Sequence, residues 1–496
     1  MQSIDSLPAL LRRVVRDYPN QAALIQDERR VTWSELGARV HRAANAFIAR
    51  DLGKGDRAAL ISKTSIEYVA AFWGALEAGV CVVPLPTMAS SESLRLMMED
   101  SGSKLLLASP ELRERVPTTV ATVNLDDAAW LGDAPDSAPE VELADDDDFN
   151  IIYSSGTTGV PKGIVHSHAT RVSFTQGLRA FGFGPQAVTL VSTPLYSNTT
   201  AVAWLPSMAF GATQVLMAKF DAREALRLVQ VHKVTHAMLV PVQYDRILHV
   251  DDFDQFDLSS FQVKLSTSAP LRAEVKRQVL DRVPGQLVEI YGLTEGGVST
   301  ILLASAFPNK LDSVGQPVPG CVVKVIDDDG NELPRGQSGE IVGRSGFMMK
   351  GYQNRPDATS DMLWRDADGE VYFRSGDIGR MDEDGFIYLL DRKKDMIISG
   401  GLNVFATDIE AQLQKHESVR EVAVVGVPSD QWGETPIAVV VLEPNSTATV
   451  DELKAWTNER VGKHERVSEV VLRADLPKSE IGKVLKRQLR TELTPQ

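Results

Sequence analysis

The chain carries the stretch Tyr153-Ser-Ser-Gly-Thr-Thr-Gly-Val-Pro-Lys162-Gly163, which consists almost wholly of hydroxyl residues, glycines and one lysine. Apolar runs at residues 149–153 and 164–166 flank it, and they predict two strands joined by this loop. Glycines let consecutive backbone N–H groups converge on an anion, and the hydroxyls add donors. Because Gly-Lys-Ser/Thr spacing is missing, this is not a Walker P-loop. The stretch predicts a phosphate-binding loop, and the alternative is a solvated surface loop.

Apolar strand-like runs alternate with helical patterns from residue 30 to about residue 240, which predicts parallel sheets covered on both faces. After residue 315 the strands shorten and turn signals such as Asp327-Asp-Asp-Gly330 appear, which predicts a β-rich subdomain. Beyond Asp395 the pattern predicts a compact α+β unit with strands at residues 419–427 and 437–442. The fold class is therefore α/β, with a large N-terminal domain and a small C-terminal domain.

Composition limits the function classes. Lys and Arg number 52 and Asp and Glu number 67 in 496 residues, so the net charge is −15, which argues against nucleic acid as the main partner. The two cysteines, Cys81 and Cys321, form neither a zinc-site spacing nor a disulfide framework. The most apolar stretch, residues 68–86, is interrupted by Glu77 and predicts a helix and a strand rather than a membrane span. We expect a cytoplasmic protein, and the sequence leaves the oligomeric state open, a homodimer included.

Four further segments place charged or aromatic side chains at the ends of predicted elements. An aromatic ring, a hydroxyl and a carboxylate follow an apolar strand at residues 286–290, where ligands bind in open α/β sheets. Each segment also has an ordinary structural explanation, such as a core tyrosine, a turn former or a solvated charge. The segments are Tyr291-Gly-Leu-Thr-Glu295, Ser375-Gly-Asp377 in a predicted tight turn, Asp391-Arg-Lys-Lys-Asp395, and Pro477-Lys-Ser-Glu-Ile-Gly-Lys483.

In this order, the five motifs resemble those of the adenylate-forming superfamily, which contains acyl-CoA synthetases, peptide-synthetase adenylation domains and luciferases. The resemblance covers nearly the whole chain. It implies an N-terminal domain over residues 1–391 and a mobile C-terminal domain over residues 392–496, with a hinge near Lys394. It also implies ATP, Mg²⁺ and coenzyme A as ligands.

The resemblance implies two sets of nucleotide-binding residues. In the first set, Tyr291 would stack on adenine beside Gly292, Thr294 would contact a phosphate, and Glu295 would ligate Mg²⁺. The phosphate loop would comprise Ser154, Ser155, Gly156, Thr157, Thr158, Gly159 and Lys162.

In the second set, Asp377 would bind the ribose hydroxyls with Arg392 nearby, and Lys483 would bridge the substrate carboxylate and the α-phosphate. Gly400 and Gly401 would let the pantetheine arm of coenzyme A pass close to the backbone. The implied catalytic residues are Lys483, Thr294 and Glu295. Since Lys483 would serve only adenylate formation, the C-terminal domain would move for thioester formation.

The implied acid-binding residues are mostly apolar or aromatic, and no Arg or Lys is among them. A second substrate carboxylate would therefore lack a partner, which disfavours dicarboxylates and favours a compact aryl or medium-chain monocarboxylate. The chain departs from the family at Tyr196-Ser197, where an aromatic residue and His are usual, and at Ser266-Thr-Ser, which is bulkier than usual. The implied residues are Tyr196, Ser197, Met238, Thr267, Ser268 and Ile290.

The leading hypothesis is an acid–CoA ligase that uses ATP and Mg²⁺. A stand-alone adenylation enzyme that loads a carrier-protein thiol is the nearest alternative. A luciferase-like oxygenase and a catalytically silent nucleotide-binding protein stay open as further classes, although Lys162, Glu295 and Lys483 are all present, which argues against a decayed site.

Overall fold

The computed structural model describes residues 5–154, 161–400, 402–429, 431–479 and 482–494. Internal contacts divide the chain into two compact units, Met1–Val322 with Gly343–Phe373, and Val323–Val342 with Arg374–Gln496. The domain boundary at residues 391 and 392 stays a prediction. Within the described ranges, no helix is both long enough and apolar enough to cross a bilayer.

The α-helices of the described residues follow in chain order. They are α1 (Leu7–Asp17), α2 (Trp33–Ile48), α3 (Ile66–Glu77), α4 (Ser91–Ser101), α5 (Pro110–Arg113), α6 (His168–Gly177), α7 (Asn198–Phe210), α8 (Ala222–His232), α9 (Pro241–Leu248), α10 (Ala273–Arg282), α11 (Pro356–Ser360), α12 (Ala406–Leu413), α13 (Val450–Asn458) and α14 (Lys486–Leu493).

The strands of the described residues are β1 (Ala22–Gln26), β2 (Arg29–Thr32), β3 (Arg57–Ile61), β4 (Cys81–Pro84), β5 (Leu105–Ala108), β6 (Ala121–Asn124), β7 (Asp148–Ser154), β8 (Lys162–Ser167), β9 (Val188–Val191), β10 (Thr213–Leu216), β11 (His236–Leu239), β12 (Val263–Ser266), β13 (Gln286–Gly292), β14 (Ser299–Leu303), β15 (Gln316–Pro317), β16 (Val322–Ile326), β17 (Ser338–Arg344), β18 (Gly351–Tyr352), β19 (Leu363–Arg365), β20 (Val371–Met381), β21 (Ile387–Arg392), β22 (Ile397–Ser399), β23 (Leu402–Val404), β24 (Val419–Ser429), β25 (Gly433–Leu442) and β26 (Glu469–Leu472).

Two sheets form the frame of the first unit. One has the strand order β15-β14-β13-β12-β11-β9-β10-β1-β2, and the other has the order β18-β8-β7-β4-β3-β5-β6. The inner pairs are parallel, whereas β1–β2, β7–β8 and β13–β14 are antiparallel. The predicted parallel α/β architecture is confirmed, and helices cover the sheets because the apolar strands are buried on both faces.

The main hydrophobic core of the first unit joins both sheets to α1, α2, α3 and α7. Its largest members are Trp33, Trp73 and Trp204, each at most 1% exposed. A second core packs the other face of the seven-stranded sheet against α4. Polar loops at the strand ends are thereby held on a rigid apolar frame.

The second unit contains most of β16, β17 and β20, and also β21, which pairs antiparallel to β20. It also contains the C-terminal sheet β23-β22-β25-β24, in which β26 pairs parallel to β25. Helices α12 and α13 cover one face of the C-terminal sheet and α14 contacts β24. The tight turn predicted around Asp377 is wrong. Asp377 lies inside the long strand β20, where it pairs with Arg392 of β21, and Gly376 directly before it adopts a φ of 70°.

Candidate functional site

The two ends of the predicted phosphate loop are a strand pair. Ser154 ends β7 and faces Lys162 at the start of β8 in antiparallel register, as the flanking apolar runs predicted. The predicted loop residues Ser155, Gly156, Thr157, Thr158 and Gly159 lie outside the described residues.

A cation, an aromatic ring and a carboxylate form a chain beside this hairpin. The Nζ atom of Lys162 lies 5.1 Å from the centre of the Tyr352 ring, and the Tyr352 hydroxyl donates to Glu295 Oε1 at 2.8 Å. Burial, and the neighbouring carboxylate of Glu295, raise the pKa of Tyr352, so the phenol stays protonated and donates. This hydrogen bond orients one oxygen of the Glu295 carboxylate.

A buried polar network supports the backbone of Thr294. The Nε2 atom of His166 lies 2.7 Å from the Thr294 carbonyl oxygen, and the Nδ1 atom lies 3.2 Å from an Arg171 nitrogen. The Arg171 guanidinium also donates to Asn150 Oδ1 at 3.0 Å and to Asn198 Oδ1 at 2.8 Å. Burial lowers the pKa of Arg171 to about 9, and burial together with Arg171 holds the pKa of His166 well below its ordinary value.

Tyr291 and Gly292 end strand β13 rather than following it, and they pair with Thr300 and Ser299 of β14. The Tyr291 side chain is half-buried, whereas Gly292 is exposed. A Cβ atom at Gly292 would lie 3.0 Å from the carbonyl oxygen of Val298, so the strand pairing itself favours glycine there.

The residues predicted to bind the acid lie in the first unit at the carboxyl ends of neighbouring parallel strands. Met238 is near the end of β11, Thr267 follows β12, and Ile290 is in β13. In register, Leu239 pairs with Ser266 and Ser266 pairs with Glu289. Met238 therefore lies one residue before this level of the sheet, and Thr267 and Ile290 lie one residue beyond it.

Two of the remaining predicted acid-binding residues, Ser197 and Ser268, both contact Thr199 through their hydroxyl groups. The half-buried residues Tyr196 and Ser197 precede α7, and the Ser197 side chain caps this helix by accepting from the Thr199 N–H at 3.2 Å. The Thr199 hydroxyl bonds to the Ser268 hydroxyl, and Ser268 adopts a φ of 81°. A residue with a side chain is strained in this left-handed region, where glycine is favoured, so the bond helps to hold the turn.

The second unit brings four of the predicted residues together. Asp377 and Arg392 face each other in register across β20 and β21, and Arg392 Nε lies 3.4 Å from Asp377 Oδ1. Burial and the nearby charges of Arg392 and Lys394 lower the pKa of Lys483 to about 8. The sequence alone separates Asp377 from Lys483 by about a hundred residues, and the fold of this unit brings their charges within electrostatic reach.

Gly400 has a structural reason to be glycine. Its φ is 59°, its N–H donates to the Trp432 carbonyl oxygen at 2.7 Å, and a Cβ atom would lie 3.1 Å from the Trp432 ring. Gly401 lies outside the described residues. The backbone conformation and the local packing thus favour glycine at position 400.

Sequence reasoning missed the side chains that hold the predicted residues. These are Tyr352, which orients Glu295, and the network of Asn150, His166, Arg171 and Asn198. One signal was available, since Asn150 and His166 are polar positions within apolar runs and buried polar groups require partners.

Comparison with known proteins identifies the family. The model of AMP-binding enzymes matches residues 11–353, and the model of the AMP-binding enzyme C-terminal domain matches residues 408–483. The chain belongs to the AMP-binding enzyme family. The recognition of the adenylate-forming superfamily is confirmed, and the chain is an AMP-forming acyl-CoA synthetase that uses ATP, Mg²⁺ and coenzyme A.

Relatives and solved structures match over nearly the full length. The chain is 33% identical to a feruloyl-CoA synthase of Amycolatopsis sp, with 99% of each chain covered. It is 32% identical to the long-chain-fatty-acid–CoA ligase FadD13 of Mycobacterium tuberculosis, with 93% of each covered. The crystal structure of ATP-bound MatB from Rhodopseudomonas palustris superposes with a TM-score of 0.87 at 28% identity, covering 98% of this chain and 99% of that one. The predicted fold class is confirmed.

Proposed function

We propose that this AMP-binding enzyme ligates a compact monocarboxylic acid, aromatic or of medium length, to coenzyme A through an acyl-adenylate. The observation that supports this most is the convergence of Met238, Thr267 and Ile290 near the carboxyl ends of three neighbouring parallel strands. A relative active on ferulate and a relative active on long-chain fatty acids have similar identity, so the relatives alone do not select the acid.

The hydroxyl groups near this convergence support an apolar acid. Ser197 is engaged in capping α7, and Thr199 and Ser268 bond to each other. Thr193 and Thr200 likewise share a hydrogen bond of 2.8 Å. Because these groups are already paired, an apolar ring or chain can bind beside them without breaking their hydrogen bonds.

The nucleotide residues of the first unit fit Mg²⁺·ATP. Within the described ranges, the second carboxylate oxygen of Glu295 has no protein partner, and no cluster of three His, Cys, Asp or Glu residues forms a closed metal site. Mg²⁺ commonly binds one or two carboxylates and the substrate phosphates, and it would neutralise phosphate charge here. Glu295 would hold the ion, Lys162 the outer phosphates, Thr294 a phosphate oxygen and Tyr291 the adenine.

The residues of the second unit have proposed roles as well. Asp377 and Arg392 would bind the ribose, and Lys483 would pair with the carboxylate and the α-phosphate during adenylation. A carboxylate oxygen attacks the α-phosphorus and pyrophosphate leaves. The coenzyme A thiolate then attacks the acyl carbon, and AMP leaves. We place the domain boundary between residues 391 and 392 and a hinge at Lys394, which would let Lys483 withdraw before the second step.

Pyrophosphate release across a panel of aryl, short, medium and long carboxylic acids tests the proposal, with and without coenzyme A and with products identified by mass. We expect release and an acyl-CoA product with compact monocarboxylates. Accumulation of acyl-adenylate in the presence of coenzyme A would instead indicate a carrier-protein thiol as acceptor. Preference for long chains or dicarboxylates would contradict the proposed acid class.

A further inference from the structure

Arg171 is a fully buried cation that bonds only to neutral groups. Its side chain is 3% exposed, and among the described residues no carboxylate pairs with it. Burying a guanidinium without a counter-charge is costly. The buried Lys264 donates to backbone carbonyls, whereas Arg171 directs its three bonds to the side chains of three other residues.

The bonds of Arg171 fix the orientation of two other side chains. A guanidinium donates and never accepts, so Asn198 must turn its carbonyl oxygen towards Arg171 and its amide nitrogen away. For the same reason His166 must accept at Nδ1, which makes it a neutral imidazole that donates from Nε2 to the Thr294 carbonyl. Asn150 pairs with His166 across β7 and β8, and its Oδ1 atom accepts from the Nε atom of Arg171.

We call the contact of Arg171 with Asn198 the acid arm and its contact through His166 with Thr294 the nucleotide arm. Both lead to segments that the proposed function uses. Asn198 is the first residue of α7, directly after Ser197, and the next residue, Thr199, bonds to Ser268. Thr294 directly precedes Glu295, whose carboxylate is oriented by Tyr352. One cation thus connects the segment proposed to bind the acid with the segment proposed to bind Mg²⁺·ATP.

We propose that Arg171 is a positioning residue that fixes the acid segment at Asn198 and the nucleotide segment at Thr294 relative to each other. This inference rests on the proposed function. In-line attack of the carboxylate on the α-phosphorus requires both reactants to be aligned, and small misplacements reduce the rate strongly. Arg171 touches neither reactant, so its effect passes through Asn198 and His166.

Four variants separate positioning from stability. Arg171→Met removes all three bonds, Asn198→Ala removes the acid arm, and His166→Leu removes the nucleotide arm. His166→Gln keeps an acceptor for Arg171 and a donor for Thr294, so it is the conservative rescue. Lys264→Met is the matched control, because Lys264 is 1% exposed and donates to carbonyls at Val283 and Gly285, which lie beside the opposite, amino-terminal end of β13.

Three measurements are made on each full-length variant: Mg²⁺·ATP affinity by calorimetry without acid, kcat and KM for acid-dependent pyrophosphate release, and Tm. We expect Arg171→Met to weaken Mg²⁺·ATP binding by about fivefold to tenfold and to lower kcat by about tenfold or more. His166→Leu shares the loss of affinity, and His166→Gln restores it. Asn198→Ala lowers kcat/KM for the acid while leaving Mg²⁺·ATP affinity unchanged. Lys264→Met lowers Tm and changes neither affinity nor kcat by more than about twofold.

The double variant Arg171→Met with Asn198→Ala tests whether the residues act through each other. We expect its pyrophosphate release to equal that of Arg171→Met alone, and additive losses would overturn the inference. An Arg171→Met protein that behaves like the Lys264→Met control would overturn it as well. If Arg171→Met does not fold, unchanged kinetics of His166→Leu and Asn198→Ala would overturn the inference instead.

Failure of the proposed function gives a different result. A wild-type protein that binds Mg²⁺·ATP but releases no pyrophosphate with any acid would refute the proposed reaction, and with it the acid arm. The Mg²⁺·ATP titrations of Arg171→Met, His166→Leu and His166→Gln would still decide whether Arg171 positions the nucleotide segment.

Discussion

Replacing Lys483 by arginine should remove the fall in the adenylation rate that we expect at alkaline pH, which we call the alkaline limb. In the free protein, burial and the charges of Arg392 and Lys394 lower the pKa of Lys483 to about 8. Lysine is charged below its pKa, so the cation proposed to pair with the substrate carboxylate is lost as the pH rises through 8. An arginine at this position stays charged throughout this range.

The magnitude follows from the titration. With a pKa of about 8, about nine-tenths of the Lys483 side chains are charged at pH 7 and about one-tenth at pH 9. We therefore expect kcat/KM for ATP to fall about tenfold between these two values in the wild-type protein. The ratio kcat/KM is the appropriate quantity because it reports ionisations of the free enzyme.

The assay is pyrophosphate release at saturating Mg²⁺ and subsaturating ATP and acid, from pH 6.5 to pH 9.5. Lys478→Arg is the matched control, since Lys478 belongs to the same C-terminal segment but pairs with the carboxylate of Glu421. Samples returned from pH 9.5 to pH 7 must regain full activity, which excludes unfolding. The same alkaline limb in Lys483→Arg and wild type would refute the assignment of the limb to Lys483.

Three other substitutions give further tests. Lys483→Ala should reduce adenylation by about a hundredfold or more while thioester formation from preformed acyl-adenylate persists; equal loss of both half-reactions, measured separately, contradicts the assigned role. Glu295→Ala should raise the Mg²⁺ concentration for half-maximal pyrophosphate release by about tenfold, so an unchanged Mg²⁺ titration argues against metal ligation. Lys276→Met should lower the free energy of unfolding by about 3–5 kcal/mol, because it leaves Glu289 buried without its partner. Urea unfolding checks this, and adding Glu289→Leu should recover most of the loss.

The frame of the first unit could be predicted because its strands and helices carry their signals locally. Strands such as β3 and β5 are short apolar runs bounded by turns, and the motif residues stand at their ends. The turn predicted at Asp377 failed for a physical reason. A Ser-Gly-Asp sequence favours turns, but pairing of residues 377–381 with β21 outweighs this local preference.

The supporting network could not be predicted in the same way. Arg171 lies in the first turn of α6, and an arginine there is expected to be exposed. Its side chain is instead buried and bonds to His166, five residues away, and to Asn150 and Asn198, which are more than twenty residues away. Lys264 and Lys276 are buried for the same reason, through carbonyl and carboxylate partners that only the fold assembles. Polarity in one window of sequence shows that a group needs partners, but tertiary structure determines whether water or protein supplies them.

The departure from the family pattern at Ser197 fits this network. Serine is among the best helix N-caps, and its bond to the Thr199 N–H begins α7 at Asn198. A helix that begins there places the Asn198 side chain in its first turn, where it accepts from Arg171. Helix start, asparagine orientation and buried cation therefore depend on one another. Where the family usually has a histidine, this chain has Ser197, which caps α7. The cap helps to hold the backbone of the segment proposed to bind the acid.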